Sequence, residues 1–533
     1  MPADFGSPSD PPSPPRVAAV IDIGVTSIRM AVGEIRGDGE VRLLDHLVQP
    51  VDLGRDVFDN RRLSHDSIER GAKILRKFRR TLREYGVDDP SAVRVVATTA
   101  VREAINSLAF TDRVFIATGL TVETIDEAEV NRVTYVGVAP HLRTHPVLAD
   151  AKNVVMEVGG GTTEMLVIRG GNVLHSNSYR LGSLRAVAMF DGTRVGPARR
   201  RAVLESHIRR TLKRIGADVR GDSSLQLVAL GRDVRWAAGL LNGSWDGGGI
   251  TAIDAVDLAQ VAEDLVNLDA GAIVRRYGIG FHEAETLVPA LMVYSMTASE
   301  FGLRQIHVAD TNLRDGLLQD LALGGNWTAE FRHQIVRSAI ALGRKFGFDE
   351  DHARNVAELS RSLFDQLRDV HQLDDRYEVL LYAAALLHEI GLAVNVRSNH
   401  KHALYLIRNS SLFGVSRDEL LLIGLVVRYH RRSYPQPTHE GFASLSQDRR
   451  VIVAKLAALL RLAIALDDRR SGRVDDFTAR VSGRTLTIHT EGVEDVTLEQ
   501  VAMRDNAGLF RDVYGLSVVL RGDPTADSRR RVG

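Results

Sequence analysis

Cysteine is absent from the 533 residues, which removes disulfides, thiolate metal sites and thiol nucleophiles. Net charge is absent too, because 68 Lys and Arg offset 68 Asp and Glu. No global field therefore draws the chain to nucleic acid or to an anionic membrane, and any anion selectivity has to be local. No run approaches the roughly 18 apolar residues of a membrane span, and the N-terminus lacks the basic and apolar regions of a signal peptide. A cytoplasmic protein is expected. Three common signatures are also missing: a Gly-Lys dipeptide as in a Walker P-loop, a Gly-X-Gly-X-X-Gly after a strand, and a His-Glu-X-X-His. What remains is an ordinary enzyme-like composition, 44% apolar and 26% charged, in a chain long enough for two to four domains.

Six of the 15 prolines fall in residues 1–16, which reads as a disordered tail. From Val17 a strand leads into Asp22-Ile-Gly-Val-Thr-Ser27, and the alternating stretch Ile28–Ile35 completes a hairpin. Helical spacing over Ile68–Tyr85, a short strand at Val93–Ala97, a helix over Val101–Ala109, a strand at Val122–Ile125 and a helix over about Ala128–Val138 predict an α/β lobe at 17–140. A second lobe, 141–325, opens with a strand from Asn153 into Glu157-Val-Gly-Gly-Gly-Thr-Thr-Glu164 and a second strand to Ile168. Residues 326–470 have helical spacing almost throughout. The remainder, 471–533, predicts a small α+β cap with strands at Thr478–Val481, Thr485–Thr490 and Leu516–Leu520 around one short helix, and a basic tail at Arg529–Arg531.

The two β-turn-β loops carry the chemistry. In the first, Gly24 frees the backbone to turn, and Thr26 and Ser27 offer hydroxyls and amides to a phosphate. In the second, Gly159, Gly160 and Gly161 allow several N–H groups, with Thr162, to converge on one anion as a nest. Asp22 and Glu157 stand at the loop entrances, where carboxylates and phosphate oxygens together suit Mg²⁺. One such loop is a weak signal, but two in the same context imply a duplicated phosphate site.

On these loops the chain resembles the exopolyphosphatase and guanosine pentaphosphate phosphohydrolase family of the acetate kinase, sugar kinase, Hsp70 and actin superfamily. Thr98-Thr-Ala-Val-Arg102-Glu-Ala, Arg180-Leu-Gly-Ser-Leu-Arg185 and Asn312-Leu-Arg-Asp-Gly316 resemble further family segments in order and spacing. The resemblance implies two ribonuclease H-like (actin-like) lobes around a cleft, then an all-α HD-like domain and the cap. It implies Mg²⁺-dependent hydrolysis of phosphoanhydrides, with inorganic polyphosphate first and guanosine pentaphosphate second, in a homodimer. Arg102 is implied as a phosphate clamp, and Glu164 as a group for the metal or the water.

Several positions depart from the family. Its general base, in a Glu-Glu-Ala-Arg segment, aligns with Val130, which cannot take a proton; the adjacent Glu129 is the substitute candidate. Val25 stands where the family prefers a small polar residue, Glu157 where it has Asp, and Gly231-Arg-Asp-Val where it often shows Gly-X-X-Gly-Thr. These departures support a rival expectation of a protein that binds polyphosphate or guanosine tetraphosphate without turning it over. In the helical part, His352, His388-Glu389, His402 and His430 resemble the ligand pattern of HD phosphohydrolases. Glu389 replaces an Asp there and the late acidic position reads as Ile464, so an inherited scaffold without metal is expected. The basic residues of Arg194–Arg214, Arg76–Arg80 and Arg428–Arg432 read as solvated faces; Arg185, Arg432 and the cluster from Arg199 are candidates for a polyanion track.

Overall fold

The computed structural model describes residues 15–522 except 38, 191–195, 220–223, 244, 246–247, 325–327 and 432. Residues 1–14, the expected lobe boundary at 325–326, Arg432 and Arg529–Arg531 lie outside the described residues. The chain divides into two compact units, Met1–Asn326 and Trp327–Gly533.

The first unit is built on two sheets. β1 (Arg16–Ile23) is buried on both faces, as a central strand must be. Ala19, Ile21 and Ile23 pack with Phe78 and Phe110, while Val20 packs on the other side with Val133 and Leu317. Arg16 belongs to this strand and not to the tail, and its Nη2 donates to the Leu321 carbonyl at 2.7 Å. β2 (Ser27–Ile35), β3 (Val41–Pro50), β4 (Val93–Ala97) and β5 (Val122–Thr124) complete the order β3-β2-β1-β4-β5. The second sheet contains β6 (Lys152–Val158), β7 (Thr163–Arg169), β8 (Asn172–Tyr179), β9 (Leu225–Leu230), β10 (Ile250–Asp254) and β11 (Gln305–Ala309) in the order β10-β11-β9-β6-β7-β8. Without its edge strand β10, this sheet repeats the first: an antiparallel meander, then two strands parallel to its first member. The duplication extends to register. Asp22 pairs across the ladder with Arg29 and Glu157 with Glu164, and the same offset of 135 residues relates the two pairs.

Two helices of this unit matter for the site. The helix Glu127–Thr144 is longer than its sequence pattern, capped by Asp126, whose side chain accepts from the Glu129 N–H. The unit's last helix, Leu313–Ala322, packs on the first sheet, with Leu317 and Leu318 against Val20, Ala31 and Val96. The two helices touch at glycines. A Cβ on Gly316 would run into the Val133 carbonyl, and one on Gly137 would lie 2.9 Å from Thr311 Cγ2. The single helix expected over Val101–Ala109 is two helices, Thr99–Glu103 and Ser107–Thr118. Asn106 causes the break, because its side chain exchanges two hydrogen bonds of 2.9 Å with the backbone of Leu63.

In the second unit, a helical array including Glu350–Gln366, Arg376–Leu387, Arg417–Arg428 and Gln447–Leu466 is followed by a sheet of β12 (Phe477–Ser482), β13 (Thr485–Thr490) and β14 (Ser517–Gly522). Gln366 ties sheet to helices, donating to the Phe477 carbonyl at 2.9 Å and accepting from the Ala479 N–H at 2.7 Å. Two short helices, Thr497–Asn506 and Gly508–Tyr514, replace the one expected. The interruption falls at Ala507, next to Gly508, a poor helix former on which a Cβ would run into the Tyr434 hydroxyl. Among the described residues, no helix is long and apolar enough to cross a membrane.

Candidate active site

The two hairpin turns close in the same way. The Gly24 N–H donates to the Ser27 carbonyl at 3.0 Å, and the Gly159 N–H to the Thr162 carbonyl at 2.8 Å. Both turns face a cleft of about 380 Å³ within the first unit. Of the residues singled out in the sequence, Asp22, Gly24, Thr26, Arg102, Glu157, Gly159, Gly160, Gly161, Thr162 and Glu164 line it. Ser27 and Glu129 do not. Ser27 serves the turn through its carbonyl, and its hydroxyl is buried without a hydrogen-bond partner.

The glycines act differently from the expected nest. None of Gly159, Gly160 and Gly161 has a positive φ, so their conformation is open to other residues and the alternating curl of a nest is not formed. Contact explains them instead. A Cβ on Gly160 would overlap Val25 Cγ2, and one on Gly161 would lie 2.6 Å from Thr99 Cγ2. The triple glycine is the surface on which the first loop rests, and Val25 fills the space that Gly160 leaves. Arg185 braces the second loop. Its Nε donates to the Gly161 carbonyl at 2.9 Å, its Nη2 pairs with Glu103 at 2.9 Å, and its guanidinium stacks 4.1 Å from the Phe58 ring centroid. These commitments remove it from a polyanion track. Other basic candidates are engaged as well: Arg201 pairs with Glu205 at 2.8 Å and Glu263 at 2.6 Å, and buried Arg79 donates to the Val87 carbonyl at 3.0 Å.

The cleft concentrates carboxylates among guanidinium groups. Asp22, only 4% exposed, lies 3.4 Å from Arg29 Nη1 and 3.5 Å from Arg314 Nη1. Glu157 and Glu164 sit directly opposite each other, an arrangement of like charges that destabilises a sheet. Burial pushes the Glu164 carboxyl up to about 7, with the Glu157 charge adding to the rise and the Thr162 hydroxyl, which donates to it at 2.6 Å, opposing it. Burial also raises Glu157, against the pull of Arg29, and raises Asp233 at the same cleft. Beneath them the buried Tyr294 phenol donates to the Leu230 carbonyl and accepts from the Val158 N–H at 2.8 Å, joining the ends of β6 and β9. Arg102 donates to the Ile125 carbonyl at 3.0 Å and pairs with Glu127 at 3.3 Å, at the edge of the cleft. The opposed, partly buried carboxylates Glu157 and Glu164, with Asp22, are hard oxygen donors, a set that fits Mg²⁺.

Glu129 requires a correction. Its oxygens accept from Arg132 Nε and Nη2, both at 2.8 Å, and from Arg94 Nη2 at 2.9 Å. Asp320 completes the network, accepting from Arg132 at 2.7 and 2.8 Å and from Arg94 at 2.7 Å. Against the cost of burial, these two arginines hold the Glu129 carboxyl down to about 2. A carboxylate so acidic and so fully engaged is a poor proton acceptor at neutral pH, and the helix presents Val130 to the cleft instead.

The sequence model of the Ppx/GppA phosphatase family matches residues 32–324, and that of Ppx/GppA phosphatase domain III matches residues 336–504. The chain belongs to the Ppx/GppA phosphatase family. It is accordingly a hydrolase acting on phosphoanhydride bonds, and its first unit has the actin-like fold of that family. Among solved structures it is similar to an exopolyphosphatase from Cytophaga hutchinsonii, at 20% identity and a TM-score of 0.52 over 58% of this chain and 98% of that one. It is also similar to the Aquifex aeolicus member of the Ppx/GppA family, at 23% identity and a TM-score of 0.49 over 59% of this chain and all of the other. At such identities the likeness concerns the fold.

Arg29, Arg232, Asp233, Arg235, Glu283 and Arg314 also line the cleft. Arg29 was readable once Asp22–Ser27 was taken as a hairpin turn, since the register then places it opposite Asp22. Arg232 and Asp233 stand in the segment noted only as a departure, and Arg232 pairs with Glu283 at 2.7 Å. In the second unit, His352, His388, Glu389 and His430 line a separate cavity of about 600 Å³, and His402 is not among its lining residues. Ile464 lines it too, as do Asp467 and Asp468, and the Asp467 carboxylate lies 2.7 Å from His352 Nδ1. Asp467 stands three residues beyond Ile464.

Proposed function

We propose that the first-unit cleft releases terminal phosphate from inorganic polyphosphate, with guanosine pentaphosphate as a second substrate. The observation that carries the reading is the convergence of the two loops, which brings Asp22, Glu157 and Glu164 together with Arg29, Arg102 and Arg314 around one cleft. In this reading Thr26, Arg102, Arg314 and the Gly159–Thr162 backbone hold phosphate oxygens. Asp22 and Glu157 hold Mg²⁺, which when bound would neutralise phosphate charge. Glu164, its carboxyl raised to about 7, orients the attacking water and accepts its proton, in the range where a general base works best. Val130, at the position where the base is expected, favours a second reading, a protein that binds the polyanion without cleaving it. A homodimer in the cytoplasm is part of the first proposal by family resemblance.

The test is phosphate release from long-chain polyphosphate and from guanosine pentaphosphate by the full chain with Mg²⁺, beside a binding assay. Turnover that falls about 100-fold or more in Glu164→Gln supports the hydrolytic reading. Tight binding without release supports the second reading, and absence of both binding and release refutes the two together.

A further inference from the structure

Three buried imidazoles line the second-unit cavity in edge-to-face contact. The ring of His388 lies 5.3 Å from that of His352 and 5.5 Å from that of His430, centroid to centroid. Their exposures are 2%, 6% and 3% respectively. Each has its Nδ1 engaged: His388 with the Ala385 carbonyl at 2.6 Å, His430 with the Val427 carbonyl, and His352 with Asp467 Oδ2 at 2.7 Å. A carbonyl or carboxylate oxygen accepts, so Nδ1 carries the proton and Nε2 is left with the lone pair. His388 Nε2 is buried and has no hydrogen-bond partner. A histidine serving only as core packing would have no reason to keep that nitrogen unpaired and next to two other rings. The neighbouring Glu389 adds a carboxylate, and one ligand atom from each of His352, His388 and Glu389 lies within 4.8 Å of the others.

We propose that His352 and His388, through Nε2, and Glu389, through its carboxylate, form a binding site for a divalent transition-metal ion. Two imidazoles and a carboxylate, with no thiolate in the chain, suit zinc, manganese, iron or cobalt better than magnesium or calcium. Donation of the second ring N–H to a carbonyl or carboxylate is what ligating histidines show, since it fixes the tautomer and aims the ring. Asp467 and the Ala385 carbonyl are these orienting groups. Arg470 donates to Glu389 Oε1, leaving Oε2 for the ion. The expectation of a metal-free scaffold rested on Glu389 in place of an Asp and on Ile464; Glu389 keeps a carboxylate beside the two imidazoles, and Asp467 orients His352.

The experiment uses the full chain, stripped with a chelator and titrated with Co²⁺, followed by its visible absorption and by calorimetry. About one tightly held equivalent is expected to bind in the wild type and in the cleft variant Glu157→Gln, whose cleft has lost a carboxylate proposed to hold Mg²⁺. Binding should weaken about 10- to 100-fold or more in His388→Ala and in the isosteric Glu389→Gln, with circular dichroism confirming that each is folded. Glu389→Gln decides the matter alone should His388→Ala fail to fold. The proposal is overturned if the wild type binds well below one equivalent, or if a folded variant binds Co²⁺ as tightly as the wild type.

Discussion

Glu129→Gln separates a structural from a catalytic role for the one acidic residue beside the expected base position. The substitution keeps shape and removes a charge, leaving Arg94 and Arg132 with Asp320 as their remaining shared carboxylate. The Glu129 side chain is 17% exposed, so solvent screening is limited. A carboxyl held at about 2 instead of 4.5 corresponds to about 3 kcal/mol of stability. The folded-state value lies below the unfolded one, so this contribution is complete above about pH 4.5 and fades as the pH falls towards 2. At pH 7 the variant should therefore lose about 3 kcal/mol in urea unfolding, or about 6 °C in Tm, and the gap to wild type should narrow in acid. Phosphate release per folded molecule should stay within about twofold. Unchanged stability with a loss of about 100-fold or more in activity would refute the reasoning and make Glu129 the base.

Val130→Glu should raise phosphate release about 10-fold if the missing base limits turnover. Val130 is only 8% exposed and packs with Leu313 and Leu317, so a fall in Tm should accompany the gain, and a fall without gain would remove Val130 from the list of causes. Gly160→Ala should already weaken polyphosphate binding, because its Cβ overlaps Val25. Adding Val25→Ala should restore binding, and failure of this rescue in a folded double variant would show that contact between the loops is not what the glycine provides.

Much of the fold was legible because the strands are short and strongly patterned. β4 begins and ends where its apolar run does, and the repeated turn announced the duplication before any ladder was known. Helix breaks were less visible. The one at Ala104–Asn106 depends on a partner, Leu63, more than forty residues away, and no local propensity encodes that. In the site, residue type indicated the phosphate loops, but not the reason for their glycines, since contact with Val25 and Thr99 is a tertiary fact. Glu129 misled for a related reason. A helical step of about 100° decides between cleft and ion-pair network, and only the positions of Arg94 and Asp320 show which way it points. Asp467 escapes a pattern of fixed spacing, because the end of the helix Gln447–Leu466 brings it to the same cavity as Ile464.

The repeated hairpins also show how one backbone device acquires two electrostatic characters. In the first lobe the cross-strand pair is Asp22 with Arg29, opposite charges 3.4 Å apart, a pairing a sheet favours. In the second lobe the equivalent pair is Glu157 with Glu164, like charges whose carboxyls are both raised. Packing alone gives no reason to retain the second arrangement, since replacing either acid by an apolar residue would remove the repulsion. A cation at the second hairpin would remove it as well, while the arginines about the first hairpin attract the phosphate oxygens that accompany such a cation. On this argument, Glu157→Gln should stabilise the protein towards heat in the absence of divalent ions while weakening Mg²⁺-dependent binding of pyrophosphate. A variant that is both less stable and undiminished in Mg²⁺-dependent binding would show that the opposed carboxylates have a structural purpose instead.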